Sequence, residues 1–174
     1  MFCGRHLLAA RLRRSNIDAS AGAKGRIIGH IRRRWPRVRV LLRADSAFAR
    51  EELMAWCEAN CVDYVFGLAR NDRLAKAIEA EMLEAAAECR ATGRPARRFK
   101  DLLWSTLDSW SRRRRVIGKA EALPPGDNPR FIVTSLTPAE AEARVLYEQV
   151  YCARGEMENR IKECQLDLGA CPRA

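Results

Sequence analysis

The segment YCARGEMENRIKE, residues 151–163, carries Tyr151, Arg154, Glu158 and Lys162 at steps of three, four and four. In a helix of about 100° per residue, Arg154, Glu158 and Lys162 fall at about 300°, 340° and 20° from Tyr151, and Gln165 falls at about 320°. One narrow stripe thus holds an aromatic, a cation, a carboxylate and a second cation. Leu146, Val150, Met157 and Ile161 form an adjacent apolar stripe suited to packing on a sheet. Glu156, Arg160 and Glu163 point to solvent. A carboxylate at the border of the buried face, flanked by cations, suits a metal ligand close to a phosphate. The same spacing also makes Arg154–Glu158–Lys162 an ordinary ladder of helical ion pairs. Spacing alone favours the ladder.

A second carboxylate stands out by position. In RVRVLLRADSAF, Val38, Val40 and Leu42 alternate with Arg37, Arg39 and Leu41, which predicts a strand. The stretch from Ala49 to Asn60 repeats Leu53, Trp56 and Cys57 at helical period, and DYVFGLA reads as another strand. Strand, helix and strand at this spacing make a βαβ unit with parallel strands. Asp45 then lies just past the carboxyl end of the first strand, where open α/β sheets place their chemistry.

The remaining elements position these two groups. MFCGRHLLAARLRRS predicts a short strand through Leu7 and Leu8, and NIDASAGAK a loop. GRIIGHIRRRWP predicts a basic amphipathic helix ended by Pro36. A further helix is expected from Asn71 to Arg90. Residues 97–136 read as three strands, with PPGDNP the clearest turn, and so as a small β-rich insertion. In TPAE, Thr137 is a good N-cap, Pro138 suits the first helical position and Glu140 completes a capping box, so a long helix should run past Lys162. The expected organisation is a core over 1–96, the insertion over 97–136, the helix over 137–168 and a tail over 169–174.

Composition bounds the function. The 174 residues suffice for one sizeable core, and 48% hydrophobic content excludes a disordered chain. A net charge of +10, with the runs RRRW and SRRRR, points to a polyanion, most simply nucleic acid. The seven cysteines are odd in number, irregularly spaced and without a CxxC, so they are read as reduced thiols rather than zinc ligands. No apolar run reaches the roughly 18 residues of a membrane span, and no signal peptide is evident.

Y-x2-R-x3-E at Tyr151, Arg154 and Glu158, with LLRADSAFAREELMAWCEAN and DYVFGLARN, resembles the DDE transposases of bacterial insertion sequences. The likeness is to the group with a RADSGF motif around the second Asp and YCARGEMENRIKE around the Glu, and it runs from about Phe2 to Leu168. It implies a ribonuclease-H-like α/β core, with a β-rich insertion before the helix that carries the Glu. It implies three carboxylates holding two Mg²⁺ ions for cleavage and transfer of phosphodiester strands. Asp45 matches the second Asp and Glu158 the Glu, as catalytic and metal-binding residues. Tyr151 and Arg154 match residues that contact DNA phosphate. The larger family has a lysine where this chain has Gln165, so either Lys162 stands in for it or that role is absent. The implied partners are double-stranded DNA (insertion-sequence ends and target), with a second copy or a full-length transposase, in the bacterial cytoplasm at the nucleoid.

The chain also departs from that pattern. The first Asp should lie on a strand ahead of FCGRHLLAARLR, and the one aspartate before Asp45 is Asp18, in a loop-like segment. The chain is therefore read as N-terminally incomplete and inactive alone. The motif's Gly is Ala47, whose Cβ is expected to hinder a positive φ or close ligand approach. Two rivals remain: a non-enzymatic basic DNA-binding remnant, and an unrelated ribonuclease-H-like nuclease, which would need a first carboxylate.

Overall fold

The computed structural model describes residues 2–3, 6–7 and 28–154. Phe2–Cys3 (β1) and His6–Leu7 (β2) pair only with each other, antiparallel, Phe2 opposite Leu7 and Cys3 opposite His6. Leu7, of the single strand expected through Leu7 and Leu8, belongs instead to this antiparallel pair.

Helix α1 spans Gly29–Arg34 with its three arginines in the last turn, where cations suit the dipole. After Pro36 the chain turns, and the Arg32 guanidinium bonds the carbonyls of Pro36, Val38 and Cys61. The Val40 carbonyl already accepts from the Asp63 N–H at 2.9 Å, and the regular strand β3 covers Leu41–Ala44. Helix α2 (Glu51–Ala59) and β4 (Asp63–Leu68) follow, and β3 and β4 are parallel, Leu41 opposite Asp63 and Ala44 opposite Phe66. The expected βαβ unit is present.

Asn71 Oδ1 accepts from the Leu74 N–H at 2.9 Å and caps α3 (Asp72–Ala77); α4 (Glu79–Thr92) continues beyond a break at Ile78. One continuous helix was expected here. Ile78 is fully buried over β6, and a Cβ on Gly118 would stand 2.6 Å from its Cγ2. The helix breaks at the residue seated on Gly118.

The strands β5 (Ala96–Trp104), β6 (Arg114–Leu123) and β8 (Arg130–Thr134), with the short β7 (Gly126–Asp127), occur where three strands and a turn were expected. They form no layer of their own. β8 pairs antiparallel with β4 from Val65–Thr134 to Leu68–Phe131, giving one mixed sheet in the order β3-β4-β8-β6-β5 with β7 on β6. One face packs Tyr64, Phe66, Val116 and Val133 against Leu53, Met54 and Cys57 of α2 and Leu74 and Ile78. The other packs Val65, Ile117 and Ile132 against Ala143, Leu146 and Tyr147.

That second cover begins later than expected. Glu140 Oε2 accepts from both the N–H and the hydroxyl of Thr137, each at 2.9 Å, so the Thr137 hydroxyl is spent on the carboxylate rather than on the backbone. Residues 138–140 form a turn, and helix starts only after Glu142. It runs as α5 (Ala143–Val145), a π-helical turn (Leu146–Tyr151) and a 3₁₀ turn (Cys152–Arg154). The wider π turn shifts the phase of the stripes calculated for an unbroken α-helix.

The first face also holds a buried charge cluster. Glu51 and Glu58 lie two turns apart on α2, and Arg114 of β6, 4% exposed, bonds both. Its Nε reaches Glu58 Oε1 at 2.7 Å and one Nη reaches Glu51 Oε2 at 2.6 Å, while the Tyr64 hydroxyl donates to Glu58 at 2.8 Å. Hydrogen bonds from Arg114 hold the Glu51 carboxyl below its ordinary value. Burial alone would raise Glu58, but Arg114 and Tyr64 outweigh it and its carboxyl is also lowered. Removing one partner strands charges in the interior, so Arg114→Ala should lose about 3–5 kcal/mol in urea unfolding. Both depressed carboxylates stabilise the fold above the ordinary glutamate value of about 4.3, so their contribution should fade as the pH falls below it. The acid slope of stability should be shallower in Arg114→Ala.

Candidate active site

Asp45 directly follows β3. Its backbone is extended, and its Oδ1 accepts from the Ala47 N–H at 3.0 Å, capping the 3₁₀ turn Ser46–Phe48. Ala47 carries no positive φ; among the described residues Cys61 is the one non-glycine that does. The alanine therefore fits its backbone without strain, contrary to the expectation from the motif.

The π-helical turn brings Tyr151 to Asp45. A Cβ on Gly67 of β4 would stand 2.6 Å from Tyr151 Oη, 3.0 Å from the Ser46 nitrogen and 3.3 Å from the Asp45 carbonyl carbon. Only a residue without a side chain lets the hydroxyl and the Asp45–Ser46 peptide meet over this strand. Arg43, two residues before Asp45, donates from Nη1 to the Val150 carbonyl at 2.9 Å and ties the π turn to β3. The Tyr151 ring lies 5.6 Å from that of Tyr147, which in turn lies 5.7 Å from Phe99.

Asp45, Gly67 and Tyr151 line a cavity of about 520 Å³ at the carboxyl ends of β3 and β4, together with Arg70, Asp127 and Arg130. The Asp127–Arg130 side is held from beneath. Glu121, 4% exposed, accepts from Lys119 Nζ at 2.6 Å, Arg97 Nε at 2.5 Å and Asn128 Nδ2 at 2.7 Å. Burial would raise its carboxyl, but these donors outweigh burial and keep it lowered. Burial pushes the Tyr147 hydroxyl up, well above its ordinary value.

Two of the residues singled out in sequence, Asp45 and Tyr151, thus share one cavity. Arg154 ends the 3₁₀ turn. Glu158, Lys162, Gln165 and Asp18 lie outside the described residues. Arg43, Gly67 and Arg130 were not singled out; a glycine interrupting an apolar strand was the available signal for one of them. The SRRRR run is not a free basic face. Besides Arg114, Arg115 is spent internally, on Asp101 at 2.5 Å and on the carbonyls of Leu136 and Ala141.

Among the described residues no group of three or more His, Cys, Asp or Glu is placed to hold a metal ion. The carboxylates on the cavity, Asp45 and Asp127, are hard oxygen donors of the kind Mg²⁺ takes. No helix among the described residues is long and apolar enough to cross a membrane, and Cys61, Cys89 and Cys152 are in no disulfide.

These features define an α/β domain with a mixed sheet and a carboxylate-bearing cavity at the ends of its parallel strands. Residues 1–171 match the model of the transposase DDE domain, group 1, and the chain belongs to that family. No curated protein and no solved structure matched it.

Gly67→Ala should destabilise the chain by about 1–3 kcal/mol through overpacking. Adding Tyr151→Phe should recover part of that loss, since the nearest clash is with the hydroxyl. Urea unfolding of the two variants beside wild type measures both effects.

Proposed function

We propose that the chain is the catalytic region of an insertion-sequence transposase with a ribonuclease-H-like core, acting on double-stranded DNA at the element's ends and target. In this reading residues 97–136 are an insertion whose strands extend the core sheet, and residues 137–168 are the segment that carries Glu158. The observation that carries the reading is the cavity shared by Asp45 and Tyr151 in a chain of the DDE family.

Asp45 and Glu158 are the carboxylates that would hold Mg²⁺, which when bound supplies activation of water or a 3′-hydroxyl and stabilises the leaving oxygen. The chain's own residues orient the substrate. The Asp45 backbone is fixed by the cap to Ala47 and by contact with Gly67. Tyr151 lines the same cavity, where its hydroxyl would donate a hydrogen bond to a phosphate oxygen. Arg154 and Lys162 supply positive charge along the strand being cut. A second copy, or a longer transposase, is the expected protein partner.

The 174 residues offer one aspartate ahead of Asp45, namely Asp18. Two metal ions close together repel and need several anionic ligands, so this chain alone is expected to bind DNA without cutting it. Incubating end-sequence duplex with Mg²⁺ or Mn²⁺ tests this beside an Asp45→Ala, Glu158→Ala variant. Cleavage that the variant loses would show that a further residue, Asp18 or Asp127, completes the site.

DNA binding itself should show little sequence preference and steep salt dependence, with affinity falling by orders of magnitude between about 50 and 200 mM salt. Fluorescence anisotropy across that range measures it. Binding that ignores salt contradicts the proposal.

A further inference from the structure

We propose that Arg130 is a phosphate-binding residue of the Asp45 cavity, preset for the DNA backbone by a relay from the buried Glu121 through Asn128. The proposal deepens the DNA-binding reading above and rests on it.

Arg130 opens β8, directly opposite Lys119 of β6, and is exposed on the cavity that Asp45 and Tyr151 line. Its Nε donates to Asn128 Oδ1 at 3.0 Å. That leaves the fork of its terminal nitrogens with no bond among the described residues, an arrangement that suits a tetrahedral oxyanion. Asn128 has little freedom. Its Nδ2 donates to Glu121 Oε2 at 2.7 Å and its backbone N–H to the Glu121 carbonyl at 2.8 Å. Because the amide nitrogen is engaged by a carboxylate, the amide oxygen is turned towards Arg130. Glu121 is fixed in turn by Lys119 and Arg97.

A buried carboxylate neutralised by two cations contributes little net attraction for a polyanion. Its effect is geometric: it orients an amide, and the amide orients a guanidinium. Exposed Arg70 lines the same cavity, so phosphate would meet two guanidinium groups there. Asp127 on the same rim offsets part of that charge, which makes the orientation of Arg130 matter more than the cavity's net charge.

The test is anisotropy titration of the full 174-residue chain on a duplex across a salt series. Wild type, Arg130→Ala, Arg130→Lys, Asn128→Ala and the double variant Arg130→Ala, Asn128→Ala are compared, with Arg90→Ala on the exposed end of α4 as control. Loss of one phosphate contact lowers the slope of log K against log salt by about 0.9. Arg130→Ala should show that change and Arg90→Ala should not, while Arg130→Lys should keep most of the slope. Asn128→Ala should weaken binding several-fold alone and add nothing in the Arg130→Ala background. An unchanged slope in Arg130→Ala, or additive effects of the two substitutions, overturns the proposal while leaving DNA binding intact. Wild type that does not bind in a salt-dependent way overturns the DNA-binding reading itself.

Discussion

The meeting of Tyr151 with the Asp45–Ser46 peptide over Gly67 is the contact on which the candidate site depends. A Cβ at Gly67 would lie 2.6 Å from the Tyr151 hydroxyl and 3.0 Å from a backbone nitrogen, closer than packed atoms tolerate. Backbone cannot rotate away as a side chain can. The strand therefore has to present a bare Cα where two other segments converge. Once it does, the Arg43 bond to the Val150 carbonyl and the Phe99–Tyr147–Tyr151 ring series hold the π turn against the sheet. The widened turn lets a helix that starts at Ala143 deliver Tyr151 to the end of β4.

Charge is distributed less simply than a net +10 suggests. Arg114 and Arg115 are consumed by Glu51, Glu58 and Asp101, and Arg97 by Glu121 and Glu148. These pairs bind helices and strands to one another. What remains outward is scattered, with Arg70 and Arg130 on the cavity. A polyanion would thus be drawn by the overall field, while its position near Asp45 depends on a few guanidinium groups held in place by internal carboxylates.

Much of the frame was legible in the residues. Alternation at Val38, Val40 and Leu42 marked the strand ahead of Asp45, DYVFGLA read as β4, and the βαβ spacing placed Asp45 beyond a parallel strand, as observed. What was not legible depends on contacts between distant segments. Arg32 ties the carbonyls of Val38 and Cys61 together ahead of β3, which no local pattern encodes. The helix break at Ile78 follows from its seat on Gly118. Strands of residues 97–136 were recognised, but their partner was not: pairing of β8 with β4 is a choice of register between segments some seventy residues apart. The capping box at Thr137 misled because its carboxylate captured both donors of Thr137.

The account stands on Asp45 and Glu158 serving one site. Crystals of the chain soaked in Mn²⁺ and measured for anomalous scattering test this directly, because the ion reports its own position. The predicted result is a peak bound by both carboxylates, with Tyr151 alongside. Carboxylates more than about 12 Å apart, too far to share catalytic metals that sit about 4 Å from each other, would contradict it.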